Sequence, residues 1–142
     1  MLPDTYMIVE AIAKLYSGRG AIVELGVGFN PWIACNLKKR LPEARVIVVD
    51  NDRIALDYTR SICPDLEVKL DDVMKLRIDD YKGVEIMYSI RPPPELIPYM
   101  ELLARRIGAL LIIRPLTEGE SGYILDERRW RKINPHLYML RV

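Results

Sequence analysis

At 142 residues, half of them hydrophobic, the chain is long enough to bury a core without disulfides or metals and too short for two ordinary domains, so one domain over residues 1–142 is expected. A net charge of +1 excludes a strong overall field for nucleic acid, and no apolar run approaches the roughly 20 residues of a membrane span. With no glutamine and 29% charged residues, the composition fits a thermophilic, cytoplasmic protein.

In chain order, Pro3-Asp4-Thr5 offers a helix start, and Ile8, Val9, Ile12, Ala13, Leu15 and Tyr16 make an apolar face that runs to a stop at Gly18. Ala21–Leu25 is an apolar run broken only by Glu24, as in a parallel strand buried on both faces. Gly26 and Gly28 then suit a tight turn that lets a ligand approach the main chain, and Asn30 and Pro31 suit the cap and first position of a helix. Ile33, Ala34, Leu37 and Leu41 recur at helical spacing until Pro42 ends the element. The β-branched run Val46–Val49 delivers Asp50 to the same sheet edge as the two glycines. Cys35 and Cys63 lack metal-ligand spacing and are expected as separate buried thiols in a reducing cytosol.

Asn51-Asp52 caps a helix over Arg53–Ile62, Cys63-Pro64-Asp65 breaks it, and Leu66–Leu70 is the third strand. A turn at Asp79–Gly83 leads to the fourth strand, Val84–Ile90. Strands alternating with helices predict a three-layer α/β fold with a mainly parallel sheet. Right-handed crossovers order it 3-2-1-4-5, with a ligand crevice where the order reverses.

Pro92-Pro93-Pro94 stiffens the chain before a helix over Glu95–Ile107, and Ala109–Ile113 is the fifth strand. The tripeptide Ile-Arg-Pro follows both the fourth and the fifth strand. Arg91 and Arg114 are therefore expected close together at the ligand edge, able to fork around a phosphate or carboxylate; pairing with local acids such as Glu95 or Glu118 is the alternative. Thr117–Gly122 reads as a polar loop, followed by Tyr123-Ile124-Leu125 and two short strands at the sheet edge. Arg128, Arg129, Arg131 and Lys132 surround Trp130, a cluster that suits RNA by stacking among cations, or a solvated turn with the indole tucked into the core. His136 has no partner at metal-ligand spacing and is expected at the surface, and no metal site is expected anywhere.

The stretch Glu24-Leu25-Gly26-Val27-Gly28-Phe29-Asn30 resembles the acid-x-Gly-x-Gly-x-Gly first motif of class I, Rossmann-like S-adenosylmethionine-dependent methyltransferases, with Asn30 in place of the last glycine. The resemblance spans Ala21 to Leu116 and implies S-adenosylmethionine as cofactor. It implies Glu24 near the methionine amino group and the main chain of Gly26, Val27, Gly28 and Asn30 beside the cofactor. It also implies Asp50 and Asn51 at the ribose, with Asp72-Val73 matching the third motif at the adenine. An NAD fingerprint needs a third small residue where Pro31 stands. After the fourth strand the chain resembles the Asp/Asn-Pro-Pro-aromatic motif of amino-group methyltransferases, with Arg91 at its first residue. The whole is similar to short archaeal methyltransferase-like proteins. It implies a minimal methyltransferase of unknown substrate, or a non-catalytic S-adenosylmethionine-binding module. There is no inserted substrate lid, which leaves a large partner or a second copy of the chain, as a homodimer, to complete the pocket.

Overall fold

The computed structural model describes residues 4–116 and 125–141. Its elements in order are α1 (Thr5–Leu15), β1 (Ala21–Leu25), α2 (Trp32–Arg40), β2 (Val46–Asp50), α3 (Arg53–Ile62), β3 (Glu67–Leu70), β4 (Val84–Ile90), α4 (Ile97–Ile107), β5 (Leu110–Arg114), β6 (Trp130–Asn134) and β7 (Leu137–Leu140). Single 3₁₀ turns at Val73–Lys75, Ile78–Tyr81 and Pro94–Leu96 link them.

Among the described residues the strands form one sheet in the order β3-β2-β1-β4-β5-β7-β6. The first five are parallel, as the alternation of strands and helices predicts, and β7 and β6 add an antiparallel hairpin at the edge. Successive residues of a strand face opposite sides, and the core divides accordingly. Ile22, Val48 and Ile86 pack with Ile8, Ile12, Ile33, Leu37 and Leu56 on the face covered by α1, α2 and α3. Val23, Met87 and Leu111 pack with Met100, Leu103 and Trp130 on the face covered by α4. Because both faces are covered, all five side chains of β1 are buried, including Glu24.

Two local expectations change. The helix after the glycine turn starts at Trp32, with Pro31 at the capping position and no side-chain cap, so Asn30 is not the cap; its N–H instead donates to Val27 O at 3.3 Å, closing the turn. Asp52 does cap α3, accepting the Ile54 N–H at 2.9 Å. Of the basic cluster, Arg128 and Arg129 lie in a turn with Trp130 tucked into the core, as one of the two readings has it, but Trp130, Arg131 and Lys132 continue as the extended β6 paired with β7. Residues 117–124, which hold the expected polar loop, Glu118 and Tyr123-Ile124, lie outside the described residues.

The expectation of two separate thiols is also overturned. Cys35 and Cys63 form a disulfide, with Cα atoms 5.9 Å apart and a sequence separation of 28. Two right-handed crossovers lay α2 and α3 side by side on one face, and the end of α3 comes back to the middle of α2, a proximity that spacing alone cannot reveal. Closing a loop of this length removes chain entropy from the unfolded state. Cys35→Ser is therefore expected to lower stability by roughly 3–4 kcal/mol relative to the oxidised protein, measured by chemical denaturation. A loss that persists when both proteins are reduced would assign the effect to packing of Cys35, which is 4% exposed.

Candidate functional site

Four strand ends open on one edge of the sheet. Leu25 is in register with Val49, Asp50 with Leu70, and Glu24 with Tyr88, so the segments leaving β1, β2, β3 and β4 emerge together. Gly26 and Gly28 adopt φ of 77° and 56°, left-handed conformations that strain any other L residue. A Cβ at either position would meet nothing within 4 Å, so the main chain there borders open space. The Gly26 and Val27 N–H groups donate to Val49 O at 2.8 and 3.2 Å.

Asp50 organises the edge. Its Oδ2 accepts the Gly28 N–H at 2.8 Å and its Oδ1 accepts the Asp52 N–H at 2.9 Å, which ties the glycine turn to the start of α3. A carboxylate has about four lone-pair directions, so it keeps acceptor capacity for the hydroxyls of a sugar. Asn51 beside it is exposed.

Glu24 lies beneath the turn, 1% exposed, with Tyr88 Oη donating to its Oε1 at 2.7 Å. Burial pushes its pKa up to about 8; the Tyr88 bond opposes the shift and the Asp50 charge adds to it. Burial and the neighbouring Glu24 push the Tyr88 hydroxyl far above its ordinary range. Contact of Glu24 with a ligand's amino group therefore requires movement of its carboxyl or of the cover above it. Ser89 Oγ donates to Leu25 O at 2.7 Å, a second tie between β1 and β4 under the turn.

After β3, Asp72 Oδ1 accepts the Met74 N–H at 2.9 Å and so caps the short turn that carries Val73, which is half-buried against the α4-side core. Asp71 braces this segment, its Oδ1 accepting the Asp72 N–H at 2.9 Å and its Oδ2 the Tyr81 hydroxyl at 2.7 Å. Glu24, Gly26, Val27, Gly28, Asn30, Asp50, Asn51, Asp72 and Val73 thus all lie on or just below one edge. Tyr88, Ser89 and Asp71, which support them, carry no local sequence signal because their partners are set by strand register.

Arg91 and Arg114 do emerge side by side, the Arg91 N–H donating to Arg114 O at 2.6 Å. Arg91 is exposed and has φ of 52°, the only positive φ recorded among the described non-glycine residues. The Arg114 guanidinium is not a free fork. Its Nε donates to Asp4 Oδ2 at 2.9 Å, and the two side chains are 11% and 5% exposed. Among the described residues the acid it pairs with is therefore not Glu95 but one 110 positions away, while Glu118 lies outside the described residues. Removing one member of a buried pair strands the other, so Arg114→Ala is expected to cost about 3–5 kcal/mol of stability, measured by urea denaturation. The pair Asp4→Asn/Arg114→Ala is expected to recover part of that loss.

The RNA reading of the basic cluster needs correction at its aromatic residue. Trp130 is 2% exposed in the α4-side core, so it offers no face for a base, and Arg129 is engaged by Glu101 and Arg128 by Asp126. A cleft of about 450 Å³ lies elsewhere, between α2 and the end of α3, lined by Trp32, Lys38, Lys39, Pro42, Cys63 and Leu66. Among the described residues no group of three His, Cys, Asp or Glu side chains is placed to hold a metal ion, and no helix is long and apolar enough to cross a membrane.

The profile of the uncharacterised protein family UPF0146 matches residues 6–141. The UPF0146 protein PH0209 of Pyrococcus horikoshii is 39% identical over 112 residues, covering 78% of this chain and 80% of that one. The UPF0146 protein MJ0688 of Methanocaldococcus jannaschii is 35% identical over 112 residues, covering 78% of each. Among solved structures, a TehB-like SAM-dependent methyltransferase from Corynebacterium glutamicum superposes with a TM-score of 0.68 at 14% identity, over 93% of this chain and 84% of that one. An rRNA methylase from Streptococcus thermophilus gives 0.61 at 17% identity, over 99% and 95%. Coclaurine N-methyltransferase, bound to N-methylheliamine and SAH, gives 0.57 at 18% identity, and this chain covers 35% of that enzyme's length. At these identities the superpositions show the fold alone, and that fold is the Rossmann-like one of SAM-dependent methyltransferases.

Proposed function

The chain belongs to the UPF0146 family, and within it we propose that this protein binds S-adenosylmethionine at the Gly26–Gly28 turn and acts as a minimal methyltransferase. The observation that carries the reading is the Asp50 carboxylate bonded to the Gly28 N–H at 2.8 Å, beside glycines whose Cβ positions stand open. That arrangement has room for the cofactor's main-chain contact and a fixed acceptor for its ribose hydroxyls. The residues that would hold the group are Gly26, Val27, Gly28 and Asn30 by main chain, Asp50 and Asn51 at the sugar, and Asp72 and Val73 at the base. Glu24 would serve the amino group from below. The bound cofactor would supply an electrophilic methyl group on a sulfonium. The protein's part would be to align an acceptor with that methyl and to keep water away, work that needs position more than a strong base.

One observation favours a second reading, a binding module without chemistry. The first position after β4 offers the exposed, positively charged Arg91 rather than an acid or amide that could hold a nitrogen nucleophile. The archaeal relatives, the charged composition and the disulfide also support a protein of a hot-environment organism, since intracellular disulfides are common chiefly there.

Calorimetry with S-adenosylmethionine, S-adenosylhomocysteine, NAD and ATP tests the cofactor assignment: the first two are expected to bind and the others not. Binding of NAD or ATP alone would overturn it. Incubation with a labelled methyl donor and separate RNA, protein and small-metabolite pools then divides enzyme from module, because label in none of them favours the module.

A further inference from the structure

We infer that the β6–β7 hairpin builds an oxyanion pocket beside the cofactor edge, so that the acceptor it serves is a small molecule carrying a phosphate or carboxylate. The word acceptor rests on the methyltransferase reading above; the pocket does not.

The pocket is a cleft of about 320 Å³, within the range of small-molecule sites, lined by Arg114, Pro115, Leu116, Lys132, His136 and Tyr138. Topology puts it where an acceptor must come. β5 runs parallel to β1 and β4 and ends at Arg114 on the edge that carries Gly26 and Asp50. β7 is antiparallel to β5, with Ile113 opposite Tyr138, so it begins at that edge, and β6 ends there. The turn through Pro135 and His136 therefore stands over Arg114.

Among the described residues, Arg114 and Lys132 at the pocket are set against one buried carboxylate. Asp4 is that acid, with Oδ2 at 2.9 Å from Arg114 Nε and 3.7 Å from His136 Nδ1. That one carboxylate is committed to Arg114, and its Oδ1 is sealed from solvent without a hydrogen-bond partner among the described residues. Lys132 is exposed, its Nζ 6.0 Å from the centre of the Tyr138 ring, with no ion pair to an acid among the described residues. Arg91 adds a further exposed cation next to Arg114. Arg114, ion-paired with Asp4, thus supplies rigid N–H donors at the floor without a net charge, and Lys132 and His136 line the cleft with it, the first as an exposed cation. A compact oxyanion can accept from several of these at once, whereas a cationic or purely apolar ligand would meet only repulsion or unpaired donors.

The test follows backbone amide shifts of the oxidised full-length protein on titration with inorganic phosphate and, separately, acetate at low ionic strength, alongside calorimetry with S-adenosylhomocysteine. Saturable shifts at Lys132, His136 and Tyr138 are expected. Lys132→Glu/His136→Ala should weaken them at least about tenfold while leaving S-adenosylhomocysteine affinity as it was, with the milder Lys132→Gln as a second variant should the first fold poorly. Stronger binding of phosphate than of acetate assigns a phosphate ester, and the reverse a carboxylate. No saturable shift with either anion, or a double variant that binds as the natural protein does, overturns the pocket. Oxyanion binding without S-adenosylhomocysteine binding removes the cofactor reading and leaves the pocket, and the opposite result removes the pocket alone.

Discussion

Glu24→Gln is expected to flatten the pH dependence of stability between about pH 4.5 and about pH 8, where the natural protein loses stability as the pH rises. The sign follows from which state holds the proton. In the unfolded chain this carboxyl ionises near 4.5, while in the fold burial holds it protonated to about 8, so within that window the unfolded state releases a proton the native state retains. Stability from this group is whole below 4.5 and is lost progressively up to about 8, by an amount on the order of several kcal/mol. Glutamine has nearly the same shape and still offers Tyr88 Oη an acceptor, but it cannot ionise. Chemical denaturation of both proteins at pH 5 and at pH 8.5 reads the difference directly. The variant should gain on the natural protein at the higher pH, and parallel losses in the two would show that Glu24 is ionised in the fold. The depressed carboxyls Glu67 and Glu85 act with the opposite sign and at lower pH, so they do not imitate the effect.

Asp50→Ala is expected to abolish measurable binding of S-adenosylhomocysteine, a fall of about a hundredfold or more. Two hydrogen bonds to a charged acceptor are worth about 1.5–3 kcal/mol each, which reaches that factor without any contribution from loop order. The substitution also frees the Gly28 and Asp52 N–H groups, loosening the turn and the cap of α3 together. Asp50→Asn separates the two roles, because its side-chain oxygen can keep the Gly28 bond while its amide cannot accept from a second hydroxyl. An intermediate affinity in Asp50→Asn, with a circular dichroism spectrum like that of the natural protein, is the expected result. Natural affinity in Asp50→Ala would move the sugar away from this strand.

The layout of the sheet was legible because it rests on local patterns. Val46–Val49 and Val84–Ile90 are apolar runs of strand length, Pro42 and Asp52 mark helix ends, and the alternation of elements with right-handed crossovers leaves little freedom in strand order. The site's turn was legible for a similar reason: two glycines after a buried strand have few uses. What stayed hidden was set by register or by distance along the chain. Nothing near Arg114 points to Asp4, nothing near Glu24 points to Tyr88, and the joining of Cys35 to Cys63 depends on how two helices lie against the same face. Trp130 was legible only as a choice between an exposed platform and an indole tucked into the core, and the buried side of β6 settles it as the second.

The most direct measurement is a titration of the isotopically labelled protein with S-adenosylhomocysteine, following every backbone amide. Saturating shifts at Gly26, Val27, Gly28 and Asn51, sharing one dissociation constant with calorimetry, are the predicted result. Shifts confined to Lys38, Lys39, Cys63 and Leu66 around the 450 Å³ cleft, or none at all, would contradict the placement of an adenosyl ligand at the glycine turn.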